Sequence, residues 1–233
     1  MKLLAVDTSG PVCGVAVLAD GAIVYECSVT NKLTHSTNLM PMIDQALTMS
    51  GLTLKELDYV AVVTGPGSFT GVRIGVSTVK GLCHGAGIPC VTVDALEAMA
   101  AGINSFSGVV CPIQDARAGQ VYGAAFHCEN GVPERLMDDI PLKIEEYVSA
   151  ISSFGNRFLF LGDGMPVHHK RLTELLGEQA VFAEPQQAFL RPAAAANLAA
   201  AKKERLTWKE LEPMYLRAPN AERCKKLVEA ANE

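Results

Sequence analysis

The chain has 233 residues, of which 49% are apolar, and it carries a formal net charge of −5. This length and composition allow one large domain or two small ones with a substantial core. The acidic balance argues against strong nucleic-acid binding by the chain alone, because such binding requires clustered lysine and arginine. No apolar run reaches the length of a membrane span and no signal peptide precedes Asp7, so we predict a cytoplasmic protein without membrane contact.

The cysteines indicate a reducing environment. They are scattered without a CxxC pair, and most lie in apolar runs, so we interpret them as reduced core residues. The seven are Cys13, Cys27, Cys83, Cys90, Cys111, Cys128 and Cys224.

The first half of the chain is predicted to open with three antiparallel strands. Apolar runs lie at residues 3–9, 13–18 and 22–29. The dipeptide Asp20-Gly21 separates the last two runs and is typical of a tight hairpin turn.

A helix is predicted next, over residues 36–50, with Gly51 as its C-terminal cap. Thr53 and Glu56 then form a capping-box pattern for a short helix. The apolar run 59–63 predicts a buried strand. The apolar stripe of the helix contains Leu39, Ile43, Ala46 and Leu47.

A glycine-rich segment, GPGSFTGVRIG at residues 65–75, joins this strand to a helix predicted over 69–86. Such a turn can place backbone N–H groups against a phosphate. The spacing matches neither a Walker A loop nor GxGxxG, so nucleotide binding by Gly65 and Gly67 rests on glycine content alone. Ser68 is expected to cap the helix, because the segment is not a GxSxG nucleophile elbow.

Helix 69–86 has two nonpolar faces. The first contains Val72, Val76, Val79, Cys83 and Ala86, and we expect it to pack on a sheet. The second contains Gly71, Gly75, Thr78, Leu82 and Gly85. Several glycines on one side suggest close approach by another backbone. That approach could come from a helix of another subunit, or the face could be buried within its own domain, and the sequence leaves both open.

The same pattern begins again after residues 102–108, which are small, polar and unpatterned. Strand 109–115 ends in Asp115, as the first strand ends in Asp7. The later elements follow in the same order in both halves: strand, strand, strand, helix, strand, glycine turn, helix. They include the hairpin dipeptide Asn130-Gly131, a helix near 144–152, and a strand at 158–161 before Gly162-Asp163-Gly164.

This internal repeat predicts an actin-like α/β fold, in which two ribonuclease-H-like lobes face each other across a cleft. We assign residues 1–104 to the N-terminal lobe and 105–233 to the C-terminal lobe, which adds a helix over 191–205 and a tail. In this architecture Asp7 and Asp115 face the cleft, where a nucleotide usually sits and where they would hold a metal–phosphate. The alternative is that both are turn-forming aspartates retained from the duplicated unit.

Other candidate chemistry is sparse. No two histidines have the spacing of a zincin-type site, and the adjacent His168 and His169 point apart on a regular element. Late basic residues form either a patch or an ordinary solvated surface. They are Lys202, Lys203, Arg205, Arg217, Arg223, Lys225 and Lys226.

Four segments occur together in one order: DTS at 7–9, GPGSFTGVRIG at 65–75, DAR at 115–117 and PMYLR at 213–217. This set closely resembles the bacterial TsaB (YeaZ) family over nearly the whole chain. The resemblance implies an actin-like fold and a role in forming threonylcarbamoyladenosine beside the anticodon of tRNA. It also implies a heterodimer with a TsaD-like paralogue, a TsaE-like ATPase partner, contact with tRNA through the complex, and a homodimer when alone. Any ATP or ADP and Mg are expected at the level of the complex rather than in this chain.

The resemblance further implies that residues 93–99 lie where TsaD-like proteins carry a His-x-Glu-Gly-His metal motif. Here the two histidine positions hold Ala95 and Met99, which leaves Glu97 as the only ligand type. We therefore predict a scaffolding subunit with no catalytic residue and no metal site of its own.

The resemblance also implies pairing through the first-lobe helices. The candidate interface residues are Gly71, Val72, Gly75, Thr78, Leu82, Leu39 and Ile43. On this interpretation, Gly71→Leu or Gly75→Leu would abolish dimerisation and leave the fold intact.

Two alternatives remain at this stage. One is a stand-alone nucleotide-dependent phosphotransferase that uses the matched aspartates and the glycine turns, and tight ATP binding by the isolated chain would favour it. The other is a metalloprotease, which the missing histidine pair argues against.

Overall fold

A computed structural model describes residues 1–31 and 33–216, and these form two five-stranded sheets. The first sheet has the order β3-β2-β1-β4-β5, with β1 (Lys2–Asp7), β2 (Cys13–Ala19), β3 (Ala22–Val29), β4 (Tyr59–Gly65) and β5 (Cys90–Asp94). The second has the order β10-β9-β6-β7-β8, with β6 (Ser105–Asp115), β7 (Gln120–Glu129), β8 (Val132–Lys143), β9 (Phe158–Leu161) and β10 (Ala180–Phe182).

The two sheets repeat one topology. In each, the first strand pairs antiparallel with the second and parallel with the fourth. This confirms the duplicated α/β fold that the sequence predicts, while the short strand β10 is an element that the sequence analysis did not identify.

The described residues also form six α-helices: α1 (His35–Met49), α2 (Phe69–Ala86), α3 (Ala95–Ala101), α4 (Ile144–Ile151), α5 (Gly164–Leu176) and α6 (Pro192–Ala201). Helices α1 and α2 pack on the outer side of the first sheet, and α4 and α5 on the outer side of the second. Helices α3 and α6 lie between the sheets. We call the first sheet with α1 and α2 the first lobe, and the second sheet with α4 and α5 the second lobe.

Strand alternation explains how each sheet contacts helices on both faces. In β1, Leu3 and Ala5 point into the central cluster that joins the two lobes, whereas Leu4 and Val6 point towards α1 and α2. A strand that is buried on both faces requires a continuous apolar run, as the sequence shows. The central cluster therefore extends from the first sheet through α3 and α6 to the second.

Local signals in the sequence are confirmed at several turns. Asp20 and Gly21 both have positive φ (50° and 86°), as do Asn130 and Gly131 (52° and 74°), which is the geometry of a two-residue hairpin. The hydroxyl of Ser68 accepts a hydrogen bond from the N–H of Gly71 at 3.2 Å and so caps α2.

The segment after α6 returns to the first lobe. The helix predicted over 191–205 ends at Ala201, and the chain then pairs with β5 through two backbone hydrogen bonds between Cys90 and Leu206, both of 2.9 Å. The backbone N–H of Met214 donates to the carbonyl of Thr64 at 2.8 Å. The sequence analysis assigned this segment to the second lobe, whereas these contacts lie with the first. The division at residues 104 and 105 stays a prediction.

The six cysteines among the described residues are free thiols. Cys224 lies outside the described residues, as do Arg217, Arg223, Lys225 and Lys226. Within residues 1–31 and 33–216, none of the helices has the length and apolar character needed to span a membrane.

Candidate functional site

The two matched aspartates form the same local turn. Asp7 ends β1 and Asp115 ends β6. Each carboxylate accepts a hydrogen bond from the backbone N–H two residues later, from Ser9 at 2.8 Å and from Arg117 at 2.9 Å. Aspartate commonly stabilises turns in this way. The geometry supports the interpretation of both residues as turn-forming aspartates retained from the duplicated unit.

The surroundings of the two aspartates differ. Asp7 is 2% exposed and lines a cavity between the lobes, and its burial raises the pKa of its carboxyl group above the ordinary value. Asp115 does not line this cavity, and its carboxylate forms an ion pair of 3.3 Å with the exposed Arg117. Of the two predicted residues, only Asp7 lines this cavity.

The inter-lobe cavity has a volume of about 10 Å³, which is the space of one water molecule. Its polar lining includes Gln114 and Asp163, which sequence reasoning did not select as site residues. Gln114 is 2% exposed, and its Oε1 has no hydrogen-bond partner among the described residues. The remaining walls are largely apolar and include Met99, Phe189 and Leu190.

The glycine turn packs on its own chain. A Cβ on Gly67 would overlap the carbonyl oxygen of Ser9, and one on Gly65 would lie 2.8 Å from the carbonyl oxygen of Met214. The close backbone approaches that require glycine are thus made to protein atoms. The cavity beside Asp7 is also much smaller than a nucleotide.

The segment that the resemblance aligns with a metal motif is buried and apolar. Ala95 is fully buried and Met99 is 4% exposed, and Met99 lines the inter-lobe cavity. The backbone N–H of Glu97 donates to the carboxylate of Asp94 at 2.7 Å, which caps α3. Within the described parts of the chain, no three His, Cys, Asp or Glu side chains are grouped as a metal site would need.

The glycines of α2 that we predicted at a subunit interface pack inside the first lobe instead. A Cβ on Gly71 would overlap the carbonyl oxygen of Thr8, and one on Gly75 would lie 2.5 Å from the Thr8 hydroxyl. That hydroxyl donates a hydrogen bond of 2.7 Å to the carbonyl of Gly71. The prediction that Gly71 and Gly75 lie at a subunit interface is wrong, because the turn after β1 already packs against them. Val72, Leu39 and Ile43 are also buried in the first-lobe core.

The other predicted interface residues, Thr78 and Leu82, are half-buried at the margin of a more exposed surface. On α2, Gly81 and Gly85 face open space, with no described atom within 4 Å of an added Cβ. On α1, the exposed fractions of Met40 and Met49 are 48% and 70%. We call the accessible residues of these two helices that carry no charge the α1–α2 face, and define it by Met40, Met49, Thr70, Ile74, Ser77, Thr78, Gly81, Leu82 and Gly85. Met40 and Met49 are nine residues apart and lie on opposite flanks of α1.

At the N-terminal end of α2, the segment that follows α6 contacts the helix through Tyr215. The guanidinium of Arg73 lies 3.7 Å from the centre of the Phe69 ring, and its Nε donates to the Tyr215 hydroxyl at 2.6 Å. The rings of Phe69 and Tyr215 are 5.0 Å apart. A shallow groove of about 380 Å³ runs beside this cluster and is lined by Phe69, Thr70, Arg73, Ile74 and Ser77.

The duplicated topology and the position of the cleft define an actin-like α/β protein of two lobes. Residues 30–233 match the model of a family described as "TsaD: tRNA N6-adenosine threonylcarbamoyltransferase". The chain is 33% identical to tRNA threonylcarbamoyladenosine biosynthesis protein TsaB of Bacillus subtilis, over 95% of this chain and 96% of that protein. It is 34% identical to the Escherichia coli protein of the same name, over 70% and 72% of the two chains. The chain therefore belongs to the TsaB (YeaZ) family.

A solved structure of YeaZ from Pseudomonas aeruginosa supports this assignment. It superposes with a TM-score of 0.75 at 25% identity and covers 92% of this chain and 99% of that one. A second Pseudomonas aeruginosa structure, described as similar to peptidase YEAZ, has a TM-score of 0.79 at 26% identity, with coverage of 93% and 99%.

Proposed function

We propose that this chain takes part in forming threonylcarbamoyladenosine in tRNA as a non-catalytic subunit that binds and supports a TsaD-like catalytic paralogue. The names of its relatives support the pathway. The description of the matching family model supports the link to a transferase. In this proposal a TsaE-like ATPase and tRNA join at the level of the complex, which would work in the cytoplasm.

One observation carries the non-catalytic role: the inter-lobe cavity beside Asp7 has a volume of only about 10 Å³, and its walls include Met99 and Leu190. A nucleotide or a tRNA base is much larger than this cavity. In this proposal ATP or ADP with Mg is bound by other subunits, and the small size of the cavity beside Asp7 argues against a stand-alone phosphotransferase.

The α1–α2 face supports the docking role. Together α1 and α2 carry three charged side chains apart from histidine, Asp44, Arg73 and Lys80. Exposed methionine and glycine let a facing helix approach closely over a surface with little charge to desolvate. This suits a helical face of a TsaD-like paralogue, or of a second copy of the chain when the paralogue is absent.

Reconstitution of tRNA modification with and without this chain is the test. TsaD-like and TsaE-like proteins, threonylcarbamoyl-adenylate and unmodified tRNA are combined, and threonylcarbamoyladenosine is measured by mass spectrometry of nucleosides. We expect modification only when this chain is present, and none from this chain alone. Modification by the chain alone, or micromolar binding of Mg-ATP to it in calorimetry, would overturn the non-catalytic role.

A matched pair of variants tests the docking surface. Ser77 on α2 and Ser149 on α4 are both exposed helical serines, one on the α1–α2 face and one on the second lobe. Ser77→Glu places a larger, charged side chain in the proposed interface and is expected to weaken binding to the TsaD-like subunit at least tenfold, because docking would have to remove water from the carboxylate. Ser149→Glu is expected to leave binding unchanged. Equal affinities for the two variants, with unchanged circular dichroism, would place the interface elsewhere.

A further inference from the structure

A cluster of charged side chains joins the two lobes at the edge of the central layer. Asp94 ends β5 and caps α3, whereas Arg135 and Asp139 lie on β8 of the second lobe. The Arg135 guanidinium contacts the Asp94 carboxylate at 3.5 Å and also forms a close ion pair with the Asp139 carboxylate. One cation from the second lobe therefore contacts a carboxylate from each lobe.

The cluster is largely shielded from water. The side chains of Asp94, Asp139 and Arg135 are 16%, 8% and 29% exposed. The guanidinium also lies 4.7 Å from the centre of the Phe126 ring, so part of its surface faces an aromatic side chain. Water can screen the charges of such a cluster only weakly.

The charges of the cluster do not balance when all its groups are ionised. The facing ionisable groups are Asp94 and Glu97 from β5 and α3, and Arg135 and Asp139 from β8. Two carboxylates meet one guanidinium directly, and Glu97 adds a third negative charge nearby. Like charges held this closely favour the binding of one proton between them.

We propose that Asp94 and Asp139 share one proton, and that this proton strengthens the contact between the two lobes. With the proton bound, the pair and Arg135 are electrically neutral. Without it, the two carboxylates repel each other across the junction. The stability of the closed two-lobe arrangement is then linked to pH near neutrality.

The electrostatic environment supports this assignment. Burial, followed by the hydrogen bond and charge of Asp139, raises the pKa of Asp94 to about 8. The ordinary aspartate value of 3.8 applies in the unfolded chain. Between these values the native protein holds a proton that the unfolded chain has lost, so stability falls as the pH rises. The pair alone should raise the unfolding equilibrium constant about tenfold per pH unit between roughly pH 5 and 7.

The test compares Asp139→Asn with Asp138→Asn. The first puts an amide beside Asp94, which can donate a hydrogen bond without a bound proton. The second makes the same change of charge at an exposed neighbour on the same strand. Urea unfolding is measured from pH 5 to pH 9. We expect Asp139→Asn to lose the pH dependence of stability that is due to the pair. Between pH 5 and 7, the unfolding equilibrium constant of Asp138→Asn should therefore increase about 100-fold relative to that of Asp139→Asn.

A spectroscopic measurement separates the proton from a merely structural role. Carbon-13 NMR of the aspartate carboxyl groups should show one titration near pH 8 that disappears in Asp139→Asn. Asp94→Asn is a second variant in case the first does not fold, since asparagine also caps helices well. The proposal is overturned if the Asp94 carboxyl titrates below pH 5, or if the pH profiles of Asp139→Asn and Asp138→Asn have the same slope.

Discussion

The outer helices of the two lobes occupy equivalent places in a duplicated fold, yet their surfaces differ. Helices α4 and α5 carry five charged side chains apart from histidine, although they are shorter than α1 and α2, which carry three. On the second lobe Arg171 forms ion pairs with Glu145 at 2.8 Å and with Glu174 at 3.2 Å. On the first lobe the exposed residues include methionine and glycine.

The difference shows that the shared topology does not require outer helices with few charged side chains. The second lobe has a solvated helical surface on the same framework, so the low charge of the α1–α2 face is not a consequence of the fold. A face with little charge, exposed methionines and open glycines has the composition of an interface core. The comparison thus supports docking through the first lobe.

Substitutions on the two sides of α2 are expected to have opposite effects on the free energy of unfolding. Gly71→Ala places a methyl group against the carbonyl of Thr8, and we expect a loss of about 1–3 kcal/mol in the free energy of unfolding because the core is overpacked. Gly81→Ala meets open space and should gain about 0.5–1 kcal/mol, because alanine favours the helix. Urea unfolding measures both. Changes of the same sign would show that the two glycines do not differ in their surroundings.

A second pair of variants compares the exposed apolar residues of the two lobes. Met40 and Val167 are 48% and 60% exposed, on α1 and α5 respectively. Met40→Asp should weaken self-association at least tenfold, or about 1.4 kcal/mol, and Val167→Asp should leave it unchanged. Sedimentation over a range of concentrations measures the dissociation constant. Equal weakening by both would remove the distinction between the lobes.

Asp7, one of the two matched aspartates, is expected to make the stability of the protein depend on pH. Because burial raises the pKa of Asp7, the native state keeps this proton at pH values where the unfolded chain has lost it. Wild-type stability should therefore fall as the pH rises from the ordinary aspartate range through the raised native value. Asp7→Asn keeps an acceptor for the Ser9 N–H and should remove this part of the fall in thermal-unfolding profiles.

The exposed ion pairs of Arg171 on the second lobe are expected to contribute little to stability or function. Arg171→Ala removes both ion pairs, whose side chains are about half exposed, and exposed pairs contribute little to stability. We expect no measurable change in Tm, in self-association or in tRNA modification. A clear loss of modification would mean that the second lobe also contributes a functional surface.

Much of the fold could be predicted because it depends on local patterns. The order of elements, the bounds of α2, the two hairpin turns and the Ser68 cap each depend on residues close together in the chain. The repeat of apolar strands ending in Asp7 and Asp115 was sufficient to predict a duplicated architecture.

The candidate site was predicted less well because its residues meet through long-range packing. Periodicity placed Gly71 and Gly75 on one face of a helix, but it did not show that Thr8 packs against that face. Gln114 and Asp163 reach the cavity beside Asp7 only because the two sheets face each other across α3 and α6. No pattern within one segment signals such contacts.

Strand alternation, helical periodicity and short motifs are local properties of the chain, and from them the sequence predicts a duplicated α/β protein of the TsaB family. The folded structure was needed to reveal that Thr8 packs against the inner glycines of α2, and that Asp94 meets Arg135 and Asp139 across the lobes. These features depend on which surfaces pack together, and packing brings together residues that are distant in the sequence.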